Sequence, residues 1–348
     1  MVYNIKKFLM FLIMVVLLTN FLVMLWNKFQ NVQWKYKPMI IYWPQPDKNL
    51  ECYSYTDNDA LMSAEDVSFM PKLKSIFFHE TSCRGGVDSR QACAVESAAR
   101  ANPDWEVYLL FNAPVSDAML KKSCLVKLLQ YSNVRLARIH ADSFSKGSAV
   151  QQIVRSKLLH SRHPVTHSAD IMRMLTLHRW GGVYLDLDML VVKSFDSLPQ
   201  NWIAKSSPFD LATGAMRLSK DEVGQNWTEE IIHEMLSTYD NTQWSGYGAR
   251  ATERVLRRRC PELQNATSGD CQGLSIYSSE LFYPIGFSEA HLLVRGGPLK
   301  KINVEPYTYH IWNLVTKMFT IRPNSAYVQL ASKLCPLIYG AYGDAFGV

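Results

Sequence analysis

The sequence predicts an α/β protein: one large domain built on parallel strands, preceded by an apolar segment at the N-terminus. Three observations predict it. From about residue 75 onward, strand-like runs alternate with helix-like runs, the order that parallel pairing with helical crossovers produces. The 348 residues are 48% hydrophobic and 20% charged, which is globular composition with ample material for a core. Residues 8–26, FLMFLIMVVLLTNFLVMLW, hold only Thr19 and Asn20 as polar members.

Taken in order, the apolar run of 19 residues is long enough to cross a membrane as a helix. Lys6 and Lys7 precede it, so residues 1–7 are expected to stay cytoplasmic and the remainder to be translocated, as a type II signal-anchor. A cleaved signal peptide is the competing reading, but VMLWNKFQ offers no small-residue cleavage site. Two sequons, at Asn226 and Asn265, fit a glycosylated lumenal body. Seven cysteines permit three disulfides with one left over; Cys83/Cys93 and Cys260/Cys271 are near enough in sequence to pair. The net charge of +6 contains no block of like charges, so no nucleic-acid partner is expected.

Residues 27–70, with three prolines by position 46, read as a stem, and residues 71–348 as the body. SIFFHETS (75–82) reads as a buried strand and SRQACAVESAARANP (89–103) as a helix stopped by Asn102-Pro103. WEVYLLFNAP (105–114) reads as a second strand, 117–132 as a second helix and 133–139 as a third strand. In HSADIMRMLTLHRWGG, Ser168 is the expected N-cap, Asp170 sits in the first turn, and Gly181-Gly182 ends the helix. Asp170 and Arg173 share a helix face at a spacing of three, which by itself describes a surface salt bridge.

The next run, VYLDLDMLVV, has strand composition yet contains Asp186 and Asp188. Two carboxylates two residues apart on a strand project to one side, and at a sheet's carboxyl edge they make a hard oxygen site for Mn²⁺ or Mg²⁺. Such a site neutralises charge on a departing diphosphate. The triplet alone is weak: TDNDA repeats it at Asp57 and Asp59, without strand or helix around it, and is read as a decoy. Aspartyl-phosphate phosphatases carry a similar strand motif, but Met189-Leu190 follow here and the motif is mid-chain.

HSADIMRMLTLHRWGGVYLDLDMLVVKSFDSLP resembles the DXD-motif glycosyltransferases of family 32, near the α1,4-galactosyltransferases and α1,4-N-acetylglucosaminyltransferases. IFFHETS, FYPI (282–285) and YHIWN (309–313) are similar to the same group. The resemblance spans about residues 75–340 and implies a nucleotide-sugar-binding, Rossmann-like domain of GT-A type. It implies that Asp186 and Asp188 hold Mn²⁺ and the diphosphate of a UDP-sugar, with His310 completing the metal shell. It implies donor contacts from Asp170 and Arg173, from Ile76, Phe77 and Phe78 beside the uracil, and from Tyr184. WSGYGARATERVLRRRC (244–260) departs from the expected turn; Gly246 and Gly248 keep its character, and with Trp244 they are weak candidates for the acceptor.

The expectation is a Golgi type II enzyme, retaining, moving galactose or N-acetylgalactosamine from its UDP derivative in α1,4 linkage to a glycosphingolipid. The alternatives are an α1,4-N-acetylglucosaminyltransferase acting on O-glycans and a membrane-tethered lectin without turnover. Anchored by the N-terminal helix, either enzyme would meet a donor and acceptor in the lumen.

Overall fold

The computed structural model describes residues 19–20, 24, 50–55, 57–243, 247–297 and 305–347. The expected anchor and most of the stem lie outside the described residues; among those described, no helix is long and apolar enough to cross a membrane. The compact unit that carries the site runs from Pro46 to Val348.

Four strands lead the chain into a parallel arrangement: β1 (Ser75–Glu80), β2 (Glu106–Phe111), β3 (Val134–Arg138) and β4 (Gly182–Leu185). They lie side by side in the order β3-β2-β1-β4. Every residue of β1 is buried, because the sheet is covered on both faces and needs apolar side chains in both directions. Ile76 and Phe78 pack into one core, Phe77 into the other. Helix α1 (Ser89–Ala101) opens with a capping box between Asp88 and Gln91, and α2 (Pro164–Trp180) opens with proline at its first position.

The sheet continues beyond β4 with the opposite sense. β6 (Trp202–Lys205) and β7 (Leu211–Leu218) extend it, β7 running antiparallel to both β4 and β6. β8 (Gly269–Cys271) and β9 (Leu274–Tyr277) close the eight-stranded sheet at its far edge. A separate two-stranded ribbon pairs β5 (Met189–Val191) with β10 (Thr308–His310).

Four expectations change here. The run from Val183 to Val192 is two strands of two sheets, broken at residues 186–188, so the aspartates occupy a turn and do not share a strand face. Ser168 lies inside α2, since Pro164 starts the helix earlier; it accepts a hydrogen bond from the Tyr53 hydroxyl (2.8 Å). The helix expected over 117–132 is two short ones, Asp117–Lys122 and Leu125–Leu128, separated at the extended Ser123. The segment from Leu50, expected within the stem, is instead tied to the body. The Met62 carbonyl accepts from Arg138 N (2.8 Å), and Ala64 N donates back to the Arg138 carbonyl (2.7 Å), covering the edge that β3 would otherwise expose. Asp59 pairs with the buried Arg138 guanidinium (3.1 Å), so the decoy triplet has a structural use.

The disulfides also differ. Cys260–Cys271 forms as expected, but Cys83 bonds Cys52 and Cys93 bonds Cys335; Cys124 remains a buried thiol. Nearness in sequence does not decide pairing, because α1 carries Cys93 into the core against the C-terminal helices while Cys83 stays in the loop after β1. The Cys93–Cys335 bond closes a separation of 242 residues. Its removal in Cys93→Ala/Cys335→Ala should cost about 2–5 kcal/mol in chemical denaturation. A cost below the error of the measurement would deny the bond that role. Both sequon asparagines, Asn226 on the helix α3 (Glu222–Ser237) and Asn265 in a turn, are exposed.

Candidate active site

The turn at 186–188 is where the chain leaves the large sheet for the ribbon. Asp186 N still donates to the Gly214 carbonyl on β7 (2.8 Å), and Met189 N closes the turn on the Asp186 carbonyl (3.0 Å). Gly214 is required at that crossing: a Cβ there would stand 2.6 Å from Asp186 Oδ2. β10 then brings His310 to the second aspartate. His310 Nε2 lies 2.9 Å from Asp188 Oδ1, and Asn313 N donates to Asp188 Oδ2 (2.8 Å).

Asp186, Asp188 and His310 each offer one ligand atom, and those atoms lie within 4.8 Å of one another. Two carboxylate oxygens and an imidazole nitrogen suit manganese or a similar divalent ion. His310 Nδ1 is buried without a partner, so the ring is not satisfied by the protein alone. Burial works against the charge on Asp188, but His310, the Asn313 amide and Lys317 together hold its carboxyl below the usual range.

Behind Asp186 stands an ion network that the helix spacing only half foretold. Arg173 on α2 is buried, and its guanidinium reaches Asp170 Oδ1 (3.1 Å) and Asp186 Oδ1 (3.3 Å). It donates to the Thr213 carbonyl (2.7 Å) and lies over the Tyr184 ring, 4.6 Å from its centroid. The surface salt bridge is therefore a buried brace. Burial disfavours the Arg173 charge, but Asp186, Tyr184 and Asp170 outweigh it and raise its pKa. Asp170 and Asp186 share the Arg173 guanidinium, while Asp188 pairs with His310. Asp186 thus has no full cation in direct contact other than the shared arginine, and a divalent ion would add to that balance.

Other expected contacts move. Ile76, Phe77 and Phe78 are fully buried, Phe77 between Tyr108 and Trp180, so their side chains offer no open surface for the uracil contact that the resemblance implies. Alternation along a strand covered on both faces seals them; the strand's polar end, from His79, was the signal available. Tyr184 is likewise core, and its hydroxyl donates to Asp186 (2.9 Å). Gly248, placed with the acceptor, is buried; its N–H donates to Asp170 Oδ2 (3.0 Å), and a Cβ would stand 3.1 Å from Asp170 Cγ. Trp244 and Gly246 lie outside the described residues.

Sequence reasoning missed Thr213, Gly214, Asn313 and Trp312, none of which carries a signature in isolation. It also missed two buried titratable groups at the end of β1. His79 is pushed down to about 3 by burial and the nearby Arg173 charge. Glu80 is raised to about 7 by burial, which outweighs hydrogen bonds from Ser82 and the charge of Arg84. Because the folded state prefers the protonated carboxyl, folding is favoured at acid pH and weakens as pH climbs from the ordinary glutamate range through about 7. Glu80→Gln should thus match the wild type near pH 5 and exceed it by about 1–3 kcal/mol at pH 8 in urea unfolding. A difference independent of pH would contradict the assignment.

Two family models match. The glycosyltransferase sugar-binding region containing the DXD motif covers residues 88–207, and the α1,4-glycosyltransferase conserved region covers residues 220–342. The chain is 25% identical to lactosylceramide 4-α-galactosyltransferase of Pan troglodytes, over 78% of each chain. It is 22% identical to the α1,4-N-acetylglucosaminyltransferase of Homo sapiens, over 76% of this chain and 80% of that protein. A galactosyltransferase solved in complex with donor and acceptor sugar analogues is 17% identical, with a TM-score of 0.43, over 76% of this chain and 95% of that one. The first model contains Asp186 and Asp188, the second His310, and the fold joins the two regions in one carboxylate–imidazole cluster. The chain thus matches the DXD sugar-binding region in one half and the α1,4-glycosyltransferase conserved region in the other, and it is a hexosyltransferase.

Proposed function

We propose that this hexosyltransferase moves galactose, or N-acetylgalactosamine, from its UDP derivative in α1,4 linkage to a glycosphingolipid, with retention, from a type II anchorage in the Golgi membrane. The observation that supports it most is the meeting of Asp186, Asp188 and His310 beside the buried Arg173. When bound there, a manganese ion supplies Lewis-acid stabilisation of the departing diphosphate. The residues themselves do the holding: Arg173 keeps Asp186 in place, and the Asn313 amide fixes Asp188. No carboxylate is singled out as a covalent nucleophile, which favours a front-face displacement. In that step the acceptor oxygen bonds C1 as the C1–diphosphate bond breaks, and the hydroxyl proton passes to the departing phosphate.

The lectin reading is disfavoured by the intact cluster, since a binder without turnover needs no such concentration of charge. The N-acetylglucosaminyl reading draws on a relative of similar coverage and is tested in the same experiment. Purified protein with manganese is offered UDP-galactose, UDP-N-acetylgalactosamine and UDP-N-acetylglucosamine against lactosylceramide micelles and an O-glycan peptide. Transfer from UDP-galactose or UDP-N-acetylgalactosamine to the glycolipid is the expected result. Selective use of UDP-N-acetylglucosamine on the peptide would replace it, and hydrolysis alone would remove it.

A further inference from the structure

Beside the metal cluster the backbone does something costly. Trp312 is held at φ +52° and ψ +56°, the left-handed region that side chains other than glycine seldom adopt. A glycine would meet that backbone without strain. The indole, then, is what the position retains at a cost. Its Nε1 donates to the Ile285 carbonyl (2.8 Å), and its ring lies 3.9 Å from the His310 ring, centroid to centroid. It also meets the Phe287 ring edge to face at 5.5 Å, and Phe287 is 50% exposed. Two aromatic rings at right angles, one against a candidate metal ligand and the other open to solvent, make a corner that a single flat ring would not.

Resting on the reading of the site given above, we infer that Trp312 and Phe287 form the subsite for the acceptor hexose, the ring that carries the attacking hydroxyl. One face of a hexose is a row of C–H groups, which packs on an aromatic face, while its hydroxyls stay free for polar partners. Position argues for the sugar over the lipid it is attached to. The attacking hydroxyl must come within a few ångströms of the diphosphate held at the cluster, and the Trp312 ring is already in contact with His310. A lipid chain at the other end of an oligosaccharide lies at least one further sugar ring away. Leu292 and Leu314, exposed on the neighbouring turns His291–Val294 and Asn313–Thr316, are the candidates for that more distant contact.

The test uses the full-length protein in detergent, manganese, UDP-galactose and UDP-N-acetylgalactosamine in turn, and two acceptors: soluble methyl β-lactoside and lactosylceramide micelles. Phe287→Ala, at a half-exposed ring that no core packing depends on, should raise KM for both acceptors by about tenfold, the discrimination typical of one lost pocket contact. Phe287→Tyr, which keeps the ring, should restore it. UDP and manganese binding by calorimetry should be unaltered in both. A KM effect confined to lactosylceramide would show a lipid contact and overturn the hexose subsite, as would weakened UDP binding or an unchanged KM. Wild-type protein that uses neither acceptor would defeat the reading of the site itself, and wild-type turnover with an indifferent Phe287→Ala would defeat the aromatic subsite alone.

Discussion

Asp188→Ala should reduce sugar transfer by on the order of 10³-fold, the loss of several kcal/mol of charge stabilisation at the departing diphosphate. The substitution does more than delete one ligand atom. It strips His310 Nε2 of its partner and leaves the Asn313 amide without its acceptor, so the ribbon that presents the histidine is loosened too. Two measurements separate these effects. Asp188→Asn keeps an oxygen for the Asn313 amide while removing the charge; it should unfold close to the wild type yet lose manganese in calorimetry. Asp57→Ala, at the exposed aspartate of the Asp57/Asp59 triplet, should leave both transfer and metal binding intact. An Asp188→Ala enzyme with ordinary turnover would end the metal assignment.

Arg173→Ala is expected to be the most destabilising single change at the site. It would strand the buried Asp170 and the partly exposed Asp186 without their shared counter-charge, a cost of about 3–5 kcal/mol, most of it at Asp170. In a chain of this size that corresponds to a fall of roughly 4–8 °C in melting temperature. Arg173→Lys should recover only part of it. An ammonium on a flexible stem cannot reach two carboxylates and the Thr213 carbonyl together, as the planar fork does. The lysine variant should therefore fold at low temperature and still transfer poorly, because Asp186 is no longer held against Tyr184 and Gly214. Melting curves that leave Arg173→Ala level with the wild type would show that the network is incidental.

Much of the parallel half of the fold was legible, because β1, β2 and β3 are short apolar runs bounded by capped helices, and alternation of that kind has few solutions. What misled was inference from local spacing. The strand reading of VYLDLDMLVV put both aspartates on one face, whereas the chain changes sheets between them. The Ser168 cap looked sound until Pro164 began the helix a turn earlier. Ile76, Phe77 and Phe78 were adjacent to a functional edge in sequence, yet alternation on a doubly covered strand buries all three.

The residue types pointed to the chemistry in advance: two carboxylates two positions apart, at the end of a strand that follows a capped helix, were candidates on the chain alone, and the resemblance added Asp170, Arg173 and a histidine far downstream. Only the tertiary structure decided that Asp188 belongs with His310, 122 residues later, and Asp186 with Arg173. The reason is physical. Periodicity and capping report on neighbours within a turn or a strand, whereas these contacts are made by a crossing of two sheets. Their energy depends on burial and on partners that local spacing does not encode.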